Sequence, residues 1–338
     1  MPVVSVLMPC YNATETLVAT LESLARQTLS DFELIVVDDG STDGTLDILR
    51  KWASRDQRIR LVIQAHAGIV KALNAGLDKC RSGYIARMDA DDITHPERLS
   101  KQVAFLDGHP DFVLASCQVK GFPAENVRQG FQVYLEWQNS LLTDEVIRRE
   151  IFIESPFAHP SVTARKEWVL KVGGYQDHGW PEDYDLWLRL YLAGARFAKL
   201  PEVLLEWREH ATRLTRQDSR YSLENFLRLK AYYLVQGPLS RKGSVLIWGA
   251  GMMGRRLSKH LLRVGAPLSA FVDVDPAKIG RTRWGLPILS HDELLDWWRN
   301  ANNPVVLAAV GSRGARQLIR EQLTKYGLQE AVDWWCVA

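Results

Sequence analysis

Short apolar runs alternating with helical patterns constrain the fold of this 338-residue chain more than any other feature of its sequence. Val3 to Met8, Phe32 to Val37, Ile59 to Ile63 and Tyr84 to Met88 read as strands. Between them Asn12 to Gln27, with Leu17, Leu21 and Leu24 at helical spacing, Thr42 to Arg55 and Ile69 to Lys79 read as helices. Such alternation predicts an α/β fold, a mainly parallel sheet with helices flanking its faces. After Asp92 the pattern loosens. Pro96 to Leu106 reads as a helix, Val113 to Val119 as a strand and Gly121 to Gly130 as a loop. Asn139 to Glu150 reads as an amphipathic helix, Ser161 to Ala164 as a strand and Asp183 to Leu192 as a helix.

Two of the apolar runs end in acid: one in Asp38-Asp39, the other in Asp89-Ala90-Asp91-Asp92. Carboxylates packed this closely repel one another unless a cation, water or hydrogen-bond donors offset their charge. Hard divalent ions prefer carboxylate oxygens and often keep phosphate oxygens as further ligands, and ligands of open α/β sheets bind beyond the carboxyl ends of the strands. The clusters therefore point to a site for a metal and a nucleotide. The alternative is a plain turn at Asp38-Asp39-Gly40-Ser41 and a helix cap at Asp91-Asp92.

Composition narrows the class. With 42 Lys plus Arg against 40 Asp plus Glu, the net charge of +2 gives no general argument for nucleic acid. Cys10, Cys80, Cys117 and Cys336 form no CxxC pair and read as reduced, buried thiols of a cytoplasmic protein rather than a disulfide framework or zinc site. No signal peptide is evident, and no window approaches the ~20 apolar residues that cross a bilayer. The expected location is the cytoplasm, and peripheral association with the inner membrane is compatible with it. Twelve Trp is a high count; Trp297-Trp298 and Trp334-Trp335 read as core, with an interface as the other option.

Taken in order, Pro9-Cys10-Tyr11-Asn12, Asp38-Asp39-Gly40-Ser41, Gly68 with Asn74-Ala75-Gly76, and Asp89-Ala90-Asp91-Asp92 resemble the family 2 glycosyltransferases, which have the GT-A fold. Gly173-Gly174-Tyr175, Glu182-Asp183-Tyr184-Asp185-Leu186-Trp187 and Trp207-Arg208-Glu209-His210 extend the likeness to about Thr215. The resemblance implies that Pro9, Tyr11 and Asn12 form a nucleotide-contacting loop and that Asp39 meets the base or ribose. Gly68, Asn74, Arg87, Asp89 and Asp91 would belong to the same nucleotide-sugar site. Asp89 and Asp91 match the DxD motif, whose last Asp contacts the metal. His210 falls near that metal, Mn²⁺ or Mg²⁺, and Asp183, beside Glu182, matches the catalytic base.

These residue types suit the chemistry. A leaving diphosphate needs charge stabilisation, which a metal ion supplies. The acceptor hydroxyl needs a base, worth ~10²–10⁴ in rate. The resemblance implies a single base opposite the leaving group and hence inversion, which the string Glu182-Asp183 alone does not establish. Asp183 also suits the N-cap of its helix, since Asp is a favoured cap. His159 is either an acceptor-cleft residue or structural, Arg208 and His210 either phosphate ligands or an exposed turn. Arg87 reads as neutralising the acids beside it.

A boundary falls near Gly237-Pro238-Leu239-Ser240, after a helical stretch from Ser219 to Val235. Beyond it, Val245 to Trp248 leads into Gly249-Ala250-Gly251-Met252-Met253-Gly254, then a helix, a strand from Leu268 to Val272, and Asp273, 24 residues after the first glycine. Gly249, Gly251, Gly254 and Asp273 fit a dinucleotide-binding turn. With Gly285-Leu286-Pro287-Ile288 and Gly311 to Arg316, the segment resembles the small nucleotide-sugar-binding-type domains of sugar-modifying bacterial enzymes, in many of which the glycines serve packing. The expected organisation is a GT-A domain over 1–215, a helical linker over 216–242 and a smaller Rossmann-like α/β domain over 243–338. The leading expectation is a metal-dependent inverting transferase that moves a sugar from a nucleoside-diphosphate sugar, UDP-linked by the family's habit, to a glycan or lipid-linked acceptor in surface polysaccharide synthesis. The alternatives are an NAD(P)-dependent oxidoreductase or epimerase centred on the C-terminal segment, and a noncatalytic scaffold in polysaccharide assembly. The oligomeric state is left open.

Overall fold

The computed structural model describes every residue except Arg313, which belongs to the glycine-bearing stretch after Gly311 noted above. The chain divides into two compact units, one comprising residues 1–147, 156–178 and 182–217, the other 148–155, 179–181 and 218–338.

The first unit is built on eight strands: β1 (Val4–Cys10), β2 (Phe32–Asp38), β3 (Ile59–Ile63), β4 (Tyr84–Arg87), β5 (Ile93–Thr94), β6 (Phe112–Phe122), β7 (Thr163–Arg165) and β8 (Arg196–Arg208). Their order in the sheet is β3-β2-β1-β4-β7-β6-β8-β5. The first four are mutually parallel, β7 runs antiparallel to both neighbours, and β5 is antiparallel to β8. All seven residues of β1 and of β2 are buried, as expected of strands covered on both faces. Three helices alternate with these strands: α1 (Leu17–Ala25), α2 (Thr45–Ala53) and α3 (Ile69–Lys79). Helix α3 lies so close to the sheet that a Cβ on Gly76 would fall 2.9 Å from Val37 Cγ2 and closer still to Leu7 Cδ1. Glycine there is a packing requirement.

Helices α1 and α2 start later than their apolar spacing suggests, because polar side chains claim the backbone ahead of them. Asn12 takes a left-handed φ of 46° and accepts from Thr42 N at 2.8 Å, while its own N–H donates to Ser41 Oγ at 3.0 Å. Asp43 Oδ1 accepts from Thr45 N at 2.9 Å. These bonds tie the loop after β1 to the loop after β2.

Further along come α4 (Arg98–Gly108), α5 (Gln129–Ser140), α6 (Asp144–Glu150), α7 (Lys166–Lys171) and α8 (Glu182–Leu192). The amphipathic stretch expected as one helix over Asn139 to Glu150 is split between α5 and α6. Lys199 N of β8 donates to Leu142 O at 3.1 Å, and Asn139 turns its amide onto Val119 N and O at 2.9 and 2.8 Å, so the segment is fastened to neighbouring strands instead. The loop expected from Gly121 begins as the end of β6. Strand β8, 13 residues long, is not predicted by apolar alternation, since Lys199, Pro201, Glu202 and Glu206 interrupt its pattern.

The chain continues through α9 (Leu214–Gln217) into the second unit, with α10 (Leu223–Gln236), β9 (Ser244–Trp248), α11 (Met252–Arg263), β10 (Leu268–Val272), β11 (Thr282–Arg283), β12 (Leu286–Leu289), α12 (Leu294–Asn300), β13 (Pro304–Ala308), α13 (Ala315–Lys325) and β14 (Trp334–Cys336). Its sheet has the order β11-β12-β10-β9-β13-β14 and is parallel except for the β11–β12 hairpin. The α/β class of both units agrees with the sequence. Trp334 and Trp335 are core residues, Trp297 and Trp298 are half-buried, and all four cysteines are buried and free. Among the described residues no helix is long and apolar enough to cross a membrane.

Candidate active site

Residues brought together at the carboxyl ends of β1, β2 and β4 form the candidate site. After β2 the backbone turns through Gly40 at φ 73°, and Asp39, 3 % exposed, becomes the hub of a small cage. Its Oδ1 accepts from Gln64 Nε2 at 2.5 Å and Ala67 N at 3.0 Å; its Oδ2 accepts from Gly68 N at 2.9 Å and lies 2.9 Å from His66 Nδ1. The His66 ring in turn stacks on exposed Tyr11, centroids 4.1 Å apart. Tyr11, Asn12, Asp39 and Gly68 thus lie together, whereas Pro9 is buried within β1 opposite Val37. Gln64 and His66 were not singled out by sequence reasoning; their signal was position, in the loop following the third strand.

Asn74, also assigned to the nucleotide site, spends both ends of its amide on Tyr175: Nδ2 donates to Tyr175 O at 2.8 Å and Oδ1 accepts from Tyr175 N at 3.0 Å. It clamps the Gly173-Gly174-Tyr175 turn.

Beyond β4, ligand atoms of Asp89, Asp91 and Asp92 lie within 4.8 Å of one another. Each is held differently. Asp89 pairs with Arg87, Asp91 Oδ2 is 2.9 Å from His210 Nε2, and Asp92 Oδ1 accepts from Arg208 N at 2.7 Å. Arg208 Nε also donates to Asp91 O at 2.5 Å, so Arg208 shapes the acidic loop through the backbone. Thr16 and Thr20 of the α1 region bind the carbonyls of Ala90 and Asp92 at 3.0 and 2.9 Å. Burial and the neighbouring Asp91 push the carboxyls of Asp89 and Asp92 above their ordinary range, that of Asp92 strongly. Asp92 Oδ2 is buried with no hydrogen-bond partner. A crowded carboxylate set with a buried, unsatisfied oxygen fits a hard divalent cation, which would relieve both the repulsion and the desolvation.

Arg87 joins this cluster to the acidic pair. It is 4 % exposed, and burial opposes its charge, but Asp89 outweighs that and holds the guanidinium above its usual value. The same guanidinium acts on Asp183, Tyr175 and His159. Asp183 lies in the first turn of α8 and accepts from Tyr184 N at 2.7 Å, so it serves the helix start from inside rather than as the residue before it. Burial, then Glu182, raise its carboxyl to about 8. Asp185 two residues on is ion-paired to Arg189 at 2.6 Å. His159 is buried, meets Tyr175 Oη at 2.9 Å and is kept neutral by burial and by Arg87. Arg87 is thus ion-paired to Asp89, and its charge also reaches Asp183.

In the second unit Gly249, Gly251 and Gly254 form the turn between β9 and α11. A Cβ on Gly254 would sit 1.7 Å from Gly249 O, whereas one on Gly251 would meet open space. Asp273 Oδ2 accepts from Ala250 N at 2.9 Å, Oδ1 accepts from Asp275 N at 3.0 Å, and Lys278 Nζ lies 3.2 Å from Oδ2. The acid buttresses the glycine turn.

The model of Glycosyl transferase family 2 matches residues 5–173, half of the chain. This protein belongs to that family. The family 2 glycosyltransferase is 36 % identical over 207 residues to the amylovoran biosynthesis glycosyltransferase AmsE of Erwinia amylovora, covering 60 % of this chain and 75 % of AmsE. Among solved structures it resembles S. aureus TarS 1–349 in complex with UDP-GlcNAc, with TM-score 0.57 and 22 % identity over 78 % of this chain and 72 % of TarS. It also resembles the mannosyltransferase PcManGT of Pyrobaculum calidifontis, solved with GDP-Man and Mn²⁺, with TM-score 0.51 and 21 % identity over 79 % and 71 % of the two chains. At these identities the structural likeness concerns the fold.

Proposed function

We propose that this family 2 glycosyltransferase transfers a sugar from a nucleoside-diphosphate sugar, UDP-linked in the first instance, to a hydroxyl of a glycan or lipid-linked acceptor in surface polysaccharide synthesis, with inversion at the anomeric carbon. The crowded set Asp89, Asp91 and Asp92, with Arg87 paired to Asp89 and its charge reaching the buried Asp183, supports the reading. Asp183 takes the acceptor O–H proton as that oxygen attacks the anomeric carbon, and the bond from that carbon to the diphosphate oxygen breaks with its electron pair leaving on the diphosphate. Glu182, next to Asp183, keeps the pair's proton affinity high enough to accept it. Tyr11, stacked on His66, offers a flat face to the base, and Asp39 and Gly68 fix that rim. A divalent cation, Mn²⁺ or Mg²⁺, held by Asp91 with Asp89, Asp92 and His210 around it, would supply charge stabilisation for the departing diphosphate.

We divide the chain into a GT-A domain over 1–215, a helical linker over 216–242 and a Rossmann-like domain over 243–338. The strand–glycine turn–helix–strand–Asp273 order supports the last assignment, and the engagement of Asp273 by Ala250 N and Lys278 favours a packing role for the glycines over dinucleotide chemistry. Two measurements test the whole. A panel of sugar nucleotides is assayed for binding and turnover with Mn²⁺ or Mg²⁺; silence with every donor rejects the transferase. NAD(H) and NADP(H) are titrated against Trp fluorescence; saturable quenching would revive the oxidoreductase.

A further inference from the structure

One face of the second unit carries charge and exposed apolar groups that the transfer reaction does not use. Helix α11 buries Leu257 and Leu261 and turns Met252, Arg255, Lys259, Leu262 and Arg263 to solvent. It contains no acidic residue. Glu224 of α10 pairs with Arg256 and His260 on one flank, at 3.6 and 2.8 Å, but Arg255, Lys259 and Arg263 make no ion pair among the described residues. Residues 244–289 hold seven Lys and Arg against two acids, Asp273 and Asp275, and both acids are bridged by Lys278.

The β11–β12 hairpin lies beside this helix. Its two-residue tip, Trp284-Gly285, has left-handed φ values of 53° and 77°, a turn that favours Asn or Gly at the first position over an aromatic. Trp284 is nonetheless 51 % exposed, and its Nε1 donates to Ser258 Oγ of α11 at 3.0 Å, which fixes the indole at the edge of the basic stripe. Arg281 and Arg283 flank it, also without ion pairs among the described residues.

From this face we infer that the second unit docks on an anionic lipid surface, with Trp284, Met252 and Leu262 entering the headgroup layer and Arg255, Lys259 and Arg263 facing lipid phosphates. Charge complementarity selects the partner: Arg255, Lys259 and Arg263, cations without an ion pair among the described residues, meet a negative surface, each contributing about 1 kcal/mol near such a leaflet. The exposed indole and aliphatic tips select lipid over a nucleic-acid backbone, because Trp concentrates at membrane–water boundaries and exposed apolar tips gain nothing from phosphodiester. The inference does not depend on which sugar is transferred or on whether Asp183 is the base.

Cosedimentation of the full chain with phosphatidylcholine vesicles, with and without about 30 % phosphatidylglycerol, reads it directly. Binding is expected only to the anionic vesicles, and to fall as NaCl rises from about 0.1 M to about 0.5 M. At about 5-fold per basic residue, the pair Arg255→Glu and Lys259→Glu should lower partitioning by more than about 20-fold. Trp284→Ala should lower it several-fold, and Trp284→Phe should restore most of it. Arg299→Glu, an exposed site on α12, should change nothing. A parent chain left in the supernatant overturns the inference, as does equal binding to neutral vesicles or charge-reversed and Trp284→Ala chains that sediment like the parent. Retention on heparin without vesicle binding would assign the face to a soluble polyanion and overturn it equally.

Discussion

Replacing Asp183 by Asn should make the enzyme slower and the fold more stable at the same time. The unfolded chain holds this carboxyl near 3.8, the folded chain near 8. Below pH 3.8 both states carry the proton and the group costs nothing. As pH rises, the unfolded chain releases the proton while the folded one keeps it, so folding loses up to about 1.4 kcal/mol per pH unit until the folded-state value is passed. By pH 7 that reaches at most about 4 kcal/mol; because Glu182 shares in holding the proton, a realised cost of about 2 kcal/mol is the working figure. Asn keeps the shape and removes the titration. Scanning fluorimetry should show no gain for Asp183→Asn near pH 4 and a midpoint higher by a few degrees near pH 8. Turnover should fall ~10²–10⁴-fold with donor affinity unchanged, and the parent's rate should climb with pH toward 8 as the base loses its proton. A variant that is less stable at pH 8, or that has lost donor binding in calorimetry, would refute the assignment.

Asp91→Ala should weaken Mn²⁺-dependent donor binding by at least about tenfold, and the difference from the parent should vanish when the metal is chelated; calorimetry with and without chelator measures both. Gly254→Ala should destabilise the second unit by about 2 kcal/mol or more, since its methyl carbon would overlap Gly249 O, whereas Gly251→Ala should be close to neutral; paired chemical denaturation curves decide. His66→Ala removes the stacking partner of Tyr11 and one of the contacts of Asp39, and should raise the donor KM several-fold with little change in kcat under steady-state assay.

The α/β alternation was legible because strands buried on both faces leave unbroken apolar runs, as β1 and β2 do. Strand β8 was not. Its buried Lys199 donates to Pro156 O at 2.9 Å and to Gln138 O, a solution that exists only once those carbonyls are in place. The acidic triad could be found by sequence because its members are adjacent; that the charge of Arg87 also reaches Asp183 could not, since 96 residues separate the two. Asn74 shows the opposite failure. Its motif is easily spotted, but its amide is spent on Tyr175, 101 residues away, a partnership that no local pattern encodes. The late starts of α1 and α2 arise likewise from bonds between two loops, Asn12 with Thr42 and Ser41 with Asn12, rather than from either segment's own propensity.

The Asp39 carboxylate already accepts from three donors, Gln64 Nε2, Ala67 N and Gly68 N, while His66 Nδ1 lies 2.9 Å from its Oδ2 and 3.0 Å from its backbone O. If a base docks against this carboxylate as proposed, it competes with donors already in place, so its recognition is largely an exchange of hydrogen bonds that yields little net free energy. Grip on the incoming molecule must then come from its charged tail, and a bare nucleoside should be held poorly. Discrimination among bases would rest on which neighbour of the carboxylate yields most easily, with the solvent-facing imidazole of His66, 54 % exposed, the first to move.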